Sequence, residues 1–257
     1  MKIFFIGDIV GNPGRKALTK AMPVLKKEYK PDFIIANGEN SAGGFGITES
    51  VMKELFGLGV NVITSGNHIW DKKEAERLIS IEKRLLRPAN YPASSPGQGW
   101  LMADIRGEKI AVINLQGRVM MPPSECPFRM LDEVLEKLGG VKIVVVDFHA
   151  EATSEKEAMG LYADGRVSAV IGTHTHVQTA DEKILPKGTA YISDAGMTGG
   201  TGGVIGSRYE DVMERFLSGL PRKLEPESSL PAVMGVVVEV SVESGLATSI
   251  KRIKMNV

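Results

Sequence analysis

Short apolar runs alternate with longer amphipathic ones along nearly the whole chain. The runs rich in Val, Ile and Phe predict strands over residues 3–6, 33–36, 60–64, 110–115, 143–146, 167–171, 189–193 and 233–241. Between them, apolar positions recur at helical spacing, as with Ala17, Leu18, Met22 and Leu25. They predict helices over 15–28, 49–58, 72–79, 127–138 and 209–217. Gly57, Gly59 and the adjacent Gly139 and Gly140 fall where helix ends need a left-handed residue. The early strands are apolar through most of their length, as strands covered on both faces are. From Val233 to about Lys254 strands follow one another without a helix, which predicts an antiparallel edge. The fold class expected is therefore α/β, as a mixed sandwich rather than one all-parallel sheet.

Composition narrows this picture little. A length of 257 residues suits one domain spanning 1–257, and a single cysteine cannot form an internal disulfide. Lys and Arg number 31, as do Asp and Glu, so the formal net charge is zero. That removes a global field for collecting nucleic acid or an anionic membrane and leaves only local patches open. Asp8 interrupts the first apolar run before a signal-peptide core could form, and no run approaches the roughly 18 apolar residues of a membrane span. The cytoplasm is the expected location, with no membrane partner.

The polar residues that follow the strands change the picture most. Ligands in open α/β sheets bind outside the carboxyl ends of strands. At those ends stand Gly7-Asp8-Ile9-Val10-Gly11, Asn37-Gly38-Glu39-Asn40, Gly66-Asn67-His68-Ile69-Trp70-Asp71, Asp147-Phe148-His149-Ala150-Glu151 and Gly172-Thr173-His174-Thr175-His176. All four histidines of the chain belong to this set. Imidazole nitrogen with carboxylate and amide oxygen is the ligand set of a hydrolytic transition-metal site. Asp8 and Glu39 can supply anionic oxygens, Asn40 and Asn67 amide oxygens, and a carboxylate can bridge two metals. Any one of these residues alone reads as a turn former, a cap or a solvated side chain. Their coincidence at five strand ends points to a metal site.

These motifs resemble the calcineurin-like metallophosphoesterases, which carry Gly-Asp after the first strand, a Gly-Asn-His-Asp/Glu block, a later His and a Gly-His-x-His block. Three features depart from the broad pattern. No His follows Asp8 by two residues, Glu39 stands where the superfamily has Asp, and Ile69 and Trp70 precede Asp71. The departures resemble a narrower group, the bacterial YmdB-like phosphodiesterases, and the likeness extends to Asp194-Ala195-Gly196-Met197-Thr198-Gly199. The resemblance implies a four-layer αββα sandwich of two mixed sheets flanked by helices. It implies that Asp8, Glu39, Asn40 and His176 hold one metal and Glu39, Asn67, His149 and His174 the other. Glu39 is then the bridge, and Asn40 fills the place of the missing histidine. Iron, with manganese as the alternative, and 2′,3′-cyclic nucleotides or related phosphodiesters are likewise what the resemblance implies.

A metal pair of this kind can present hydroxide to phosphorus for in-line attack and neutralise the phosphate oxygens. The ligand scheme leaves His68 unused beside Asn67, so it is assigned as the general acid for the departing alkoxide. Asp147, Glu151 and Asp181 are candidates to orient ligand imidazoles. The glycine-rich loop 194–206 reads as a rim of the site, and 116–130 as a cover, a subunit contact or an ordinary long loop. Cys126 reads as a plain thiol, and Trp70 and Trp100 as packing residues. A phosphomonoesterase and a regulatory, RNA-associated binding protein on the same fold remain the alternatives. RNA and a second copy of the chain stay open as partners beside a small phosphodiester or nucleotide substrate.

Overall fold

Neighbouring residues of the first apolar run face different layers. In the computed structural model, which describes residues 1–257, Ile3 and Phe5 pack with Phe33, Ile35, Val112 and Val145. Phe4 and Ile6 turn the other way, onto Leu18, Met22 and Leu55. The alternation of side chains along a strand makes this division.

The chain begins with β1 (Lys2–Ile6), β2 (Asp8–Ile9), α1 (Gly11–Tyr29), β3 (Phe33–Asn37), α2 (Glu49–Gly57), β4 (Val62–Thr64) and α3 (Ala75–Ile81). Then come β5 (Trp100–Ile105), β6 (Glu108–Gln116), α4 (Pro127–Lys137), β7 (Ile143–His149), α5 (Thr153–Ala163), β8 (Ala169–Thr173), β9 (Lys183–Ile184) and β10 (Ala190–Ile192). The last elements are β11 (Met197–Gly200), α6 (Tyr209–Ser218), β12 (Pro231–Val240) and β13 (Ala247–Asn256). One seven-stranded sheet has the order β2-β11-β12-β1-β3-β4 with β13 also on β12, and a six-stranded sheet has the order β5-β6-β7-β8-β10-β9.

Both sheets are mixed. β1, β3 and β4 are parallel while β12 runs against β1. In the second sheet β6, β7, β8 and β10 are parallel, with β5 and β9 antiparallel at its edges. Apolar residues of α1, α2 and α3 cover the outer face of the first sheet. Those of α4 and α5 cover the outer face of the second, and a further apolar layer fills the space between the sheets. This is the αββα sandwich expected from the sequence. No helix is long and apolar enough to cross a membrane.

Several boundaries differ from the expectation for physical reasons. The strand expected over 60–64 starts at Val62, because Gly59 turns with φ +89° and the Asn61 side chain accepts from the Ile34 N–H at 2.8 Å. The helix expected over 72–79 is α3, Ala75–Ile81. Helix α5 went unforeseen because charged Glu155 and Lys156 sit on its buried face and blur the apolar period. Strand β12 is not an edge: β1 and β11 bond along one side and β13 along the other, so β13 is the edge strand.

Candidate active site

The two sheets bring their loaded strand ends to one place. Asp8 opens β2, Glu39 and Asn40 follow β3, and Asn67 and His68 follow β4, all from the first sheet. His149 ends β7, and His174 and His176 follow β8, from the second. Asp8, Glu39 and His149 are fully buried. Gly66 allows a close approach, since a Cβ there would lie 2.1 Å from His149 Cδ2.

At the centre, His149 Nε2 lies 3.1 Å from Glu39 Oε1, 3.0 Å from Asn67 Oδ1 and 3.1 Å from His174 Nδ1. One N–H cannot serve three acceptors, so electron pairs converge there beyond what the protein's own hydrogens can satisfy. Glu39, His149 and His174 form a cluster able to hold a metal ion. Beside it, Asn40 Nδ2 lies 3.2 Å from Glu39 Oε1 and 3.1 Å from His176 Nε2. Ligation by Asn40 through oxygen requires only that its amide turn over. Asp8 Oδ2 accepts the His174 backbone N–H at 3.1 Å, while Asp8 Oδ1, 4.0 Å from His176 Nε2, is buried without a hydrogen-bond partner. An orphaned carboxylate oxygen beside converging nitrogen and oxygen donors fits a bound cation.

The remaining ring nitrogens have acceptors of their own. His149 Nδ1 lies 2.9 Å from Thr173 Oγ1, which donates to Asp147 Oδ1 at 2.7 Å. His176 Nδ1 donates to the Ile205 carbonyl at 2.8 Å, and His174 Nε2 faces Glu151 Oε2 at 3.2 Å. In the neutral rings each contact fixes a tautomer, with His149 Nε2, His176 Nε2 and His174 Nδ1 as the lone-pair atoms turned to the centre. Asp147 also accepts from Asn37 Nδ2, and Asn37 Oδ1 accepts the Glu39 backbone N–H. One buried carboxyl therefore steadies residues on both sheets.

The charges are strongly coupled. Burial pushes Glu39 up, but His149 and its hydrogen bond outweigh that and hold the carboxyl at about 2. Burial lowers His149, and the Glu39 carboxylate more than reverses this, to about 9. His174 is driven down to about 3 by burial and by the neighbouring His149 charge. Without a cation, therefore, Glu39 is a carboxylate, His149 is its charged partner and His174 is neutral. Burial raises both Asp8 and Asp147, the latter to about 7.

The turn carrying His174 and His176 is strained, with φ of +101° and +66° at the two histidines. Such angles in non-glycine residues persist only when neighbours enforce them. Asp194 does so: its Oδ2 accepts from Thr175 N–H at 3.1 Å and from Thr175 Oγ1 at 2.8 Å. Lys156, buried on α5, donates to the same oxygen at 2.8 Å.

His68 lies at the edge of this group. Its backbone N–H donates to Glu39 Oε2 at 3.0 Å, and its Nδ1 lies 2.8 Å from Asp71 Oδ2. Its ring lines a cleft of about 280 Å³ together with Glu39, Asn40, His174 and His176. The ligand and acid candidates Asp8, Glu39, Asn40, Asn67, His68, His149, His174 and His176 are therefore all in one neighbourhood.

The secondary candidates divide. Glu151 meets His174 directly and Asp147 reaches His149 through Thr173, but Asp181 bonds Ser193 instead. Ile205 of the 194–206 loop lines the cleft as a rim residue should. Segment 116–130 does not cover it; Glu125, Cys126 and Met130 line another cavity, with Trp100. Sequence reasoning missed the roles of Asp71, Thr173, Asp194 and the Ile205 carbonyl. The three-residue spacing from His68 could have marked Asp71, and the register of β7 with β8, which pairs His149 with Thr173, could have marked Thr173.

The model of the YmdB-like protein family matches residues 4–253. The chain belongs to the YmdB-like family. A Bacillus subtilis (strain 168) relative named 2′,3′-cyclic-nucleotide 2′-phosphodiesterase is 48% identical over 257 residues, covering 100% of this chain and 97% of that protein. The crystal structure of a novel phosphatase from Mycoplasma pneumoniae shares 37% identity at a TM-score of 0.94, covering 100% of this chain and 93% of that one. The YmdB-like fold extends to more distant proteins. The NAD nucleotidase of Haemophilus influenzae, 16% identical, aligns at a TM-score of 0.63 over 100% of this chain and 56% of that one. That likeness is one of fold alone, the αββα sandwich.

Proposed function

We propose that this protein is a dinuclear metal-dependent phosphodiesterase acting on small nucleotide phosphodiesters, 2′,3′-cyclic nucleotides foremost. The observation that carries the reading is the convergence on His149 Nε2 of Glu39, Asn67 and His174, with the unpartnered Asp8 Oδ1 beside it. The name of the Bacillus subtilis relative supports the substrate class. In this reading residues 1–257 act as one domain.

Asp8, Glu39, Asn40 and His176 would hold one metal, and Glu39, Asn67, His149 and His174 the other. Glu39 suits the bridging place because its Oε1 faces His149 on one side and the Asn40 amide on the other. Iron is the favoured metal and manganese the alternative; mixed nitrogen and oxygen ligation accepts either. Bound metals would activate water for attack on phosphorus and neutralise charge on the phosphate oxygens. The protein's own residues do the rest. Thr173, Glu151 and the Ile205 carbonyl hold the imidazoles in their ligating tautomers. Asp71 holds His68 through Nδ1, which leaves Nε2 to give a proton to the departing ribose oxygen. The cleft of about 280 Å³ is close to the lower end of small-molecule sites, about 300–1,000 Å³, and suits a mononucleotide.

The test is metal analysis of anaerobically purified protein, followed by assay on 2′,3′- and 3′,5′-cyclic nucleotides and on p-nitrophenyl phosphate beside its bis ester. Near two metals per chain and turnover of diesters well above that of the monoester are expected. Preference for the monoester would make the protein a phosphatase, and metal-loaded protein inert on every ester would make it a binding protein.

A further inference from the structure

One wall of the cleft is not explained by metals or by acid catalysis. Phe45, Val10, Ile205, Leu224 and Pro226 bring carbon surface to a cleft otherwise lined by imidazole, carboxylate and amide. Phe45 is only half-buried, and its ring lies edge-on to His68 with centroids 4.9 Å apart. The backbone carries it there at some cost to conformational freedom. Gly43, Gly44 and Gly46 have φ of +70°, +97° and +70° around it. A Cβ on Gly46 would meet Lys72 Cγ at 2.8 Å, and one on Gly44 would meet Pro226 Cγ at 3.3 Å. The loop is thus pressed between the His68 turn and Pro226, with the phenyl ring at the cleft. Opposite, Ile205 is 52% exposed and holds φ +43°, an unusual angle for a β-branched residue. Its carbonyl serves His176, and the same strained turn brings its side chain to the cleft.

We infer that this wall is the nucleobase subsite and that Phe45 is its stacking residue. The inference rests on the phosphodiesterase reading above. In that reaction water oxygen bonds to phosphorus, the phosphorus–oxygen bond to the ribose breaks, and the ribose oxygen leaves with the proton from His68. The ring opens toward His68 while the ribose stays bonded to phosphorus through its other oxygen, so the nucleoside lies on the His68 side, and Phe45 is an aromatic ring beside His68. Phe45 and its apolar neighbours offer faces rather than hydrogen bonds, so the subsite tolerates any base and favours purines, which stack best.

The test compares kcat/KM for adenosine 2′,3′-cyclic phosphate and for methyl riboside 2′,3′-cyclic phosphate, which lacks a base. Base stacking predicts that the wild-type ratio favours the nucleotide by about tenfold or more. Phe45→Ala should bring the ratio close to one, mainly through KM, while Phe45→Trp should retain it. A ratio retained in Phe45→Ala overturns the subsite. So does an equal fall in kcat on both substrates, which would make Phe45 a positioning residue for His68. A calorimetric arm titrates adenosine 3′-monophosphate and methyl riboside 3-phosphate into metal-loaded protein. If wild type cleaves neither cyclic ester but binds the nucleotide more tightly, and Phe45→Ala loses that gap, the subsite stands and the phosphodiesterase reading falls. No gap in wild type removes the subsite whatever the activity.

Discussion

Thr173 Oγ1 lies 2.9 Å from His149 Nδ1 and donates its own hydrogen to Asp147. While Asp147 is a carboxylate it can only accept, so the hydroxyl must in turn accept from His149. The Nε2 lone pair is thereby reserved for the centre of the site. Thr173→Val keeps the shape and removes the acceptor. Metal affinity should fall by about 10–100-fold, and nitrogen NMR of metal-free protein above pH 9 should show His149 mixing its two tautomers. Unchanged affinity together with a single Nδ1–H tautomer would remove Thr173 from this role.

The pH dependence of stability should flatten when metal is bound. In metal-free protein the folded state holds His149 at about 9, above its ordinary 6.5. The stability this proton provides is fully present below 6.5 and is lost as pH rises through 9. Metal requires the same nitrogen unprotonated, so affinity should climb up to about pH 9 with release of a proton. Melting temperatures from pH 7 to 9.5 should fall without metal and stay nearly level at saturating Mn²⁺, because the metal-bound and the unfolded states both carry a neutral His149 in that range. Parallel curves would contradict the assignment.

His68→Ala should lower turnover by about 10²–10⁴-fold with both metals retained. Asp71→Asn should lower it less, since the ring remains and only its orientation and charge partner weaken. Elemental analysis beside the kinetics decides the point: metal lost from His68→Ala makes this residue a ligand.

Glu39→Gln should lose metal from both positions at once and abolish turnover, because its single carboxylate is assigned to both. Full metal content with full activity in that variant would exclude the bridge.

Gly66→Ala places a methyl group 2.1 Å from His149 Cδ2. Asn67 or the imidazole must move, so metal affinity should drop with little effect on the rest of the fold. Isothermal titration with Mn²⁺ and circular dichroism measure the two effects separately. Lys156→Met is the opposite case. It leaves Asp194 buried without its cation, which costs about 3–5 kcal/mol, readable as a shift in urea denaturation.

The site was more legible in the sequence than the framework around it. A metal-ligating pattern restricts residue types and places them at strand ends, so His149, His174 and His176 stand out as candidates by chemistry and position alone. Orientation does not. The Ile205 carbonyl is a backbone atom that any residue could supply, and Asp194 acts across the fold on a turn 18 to 20 residues earlier. The αββα layering could be read from the apolar runs because each strand's faces alternate between two cores, as Ile3 and Phe4 do. Helix α5 could not be read, because its buried face is chosen for hydrogen bonds and an ion pair: Glu155 accepts from Arg118 and Val119, and Lys156 donates to Asp194.

Asp8, Glu39, Asn40 and Asn67 come from one sheet, while His149, His174 and His176 come from the other. Between the sheets lies a layer of aliphatic contacts, which resist separation but are indifferent to sliding. An ion gripped from both sides would act as a rivet through that seam, fixing register where oil alone does not. Loading the metal and aligning the halves of the sandwich then become a single event, and a cell short of metal would hold a looser protein as well as an idle one.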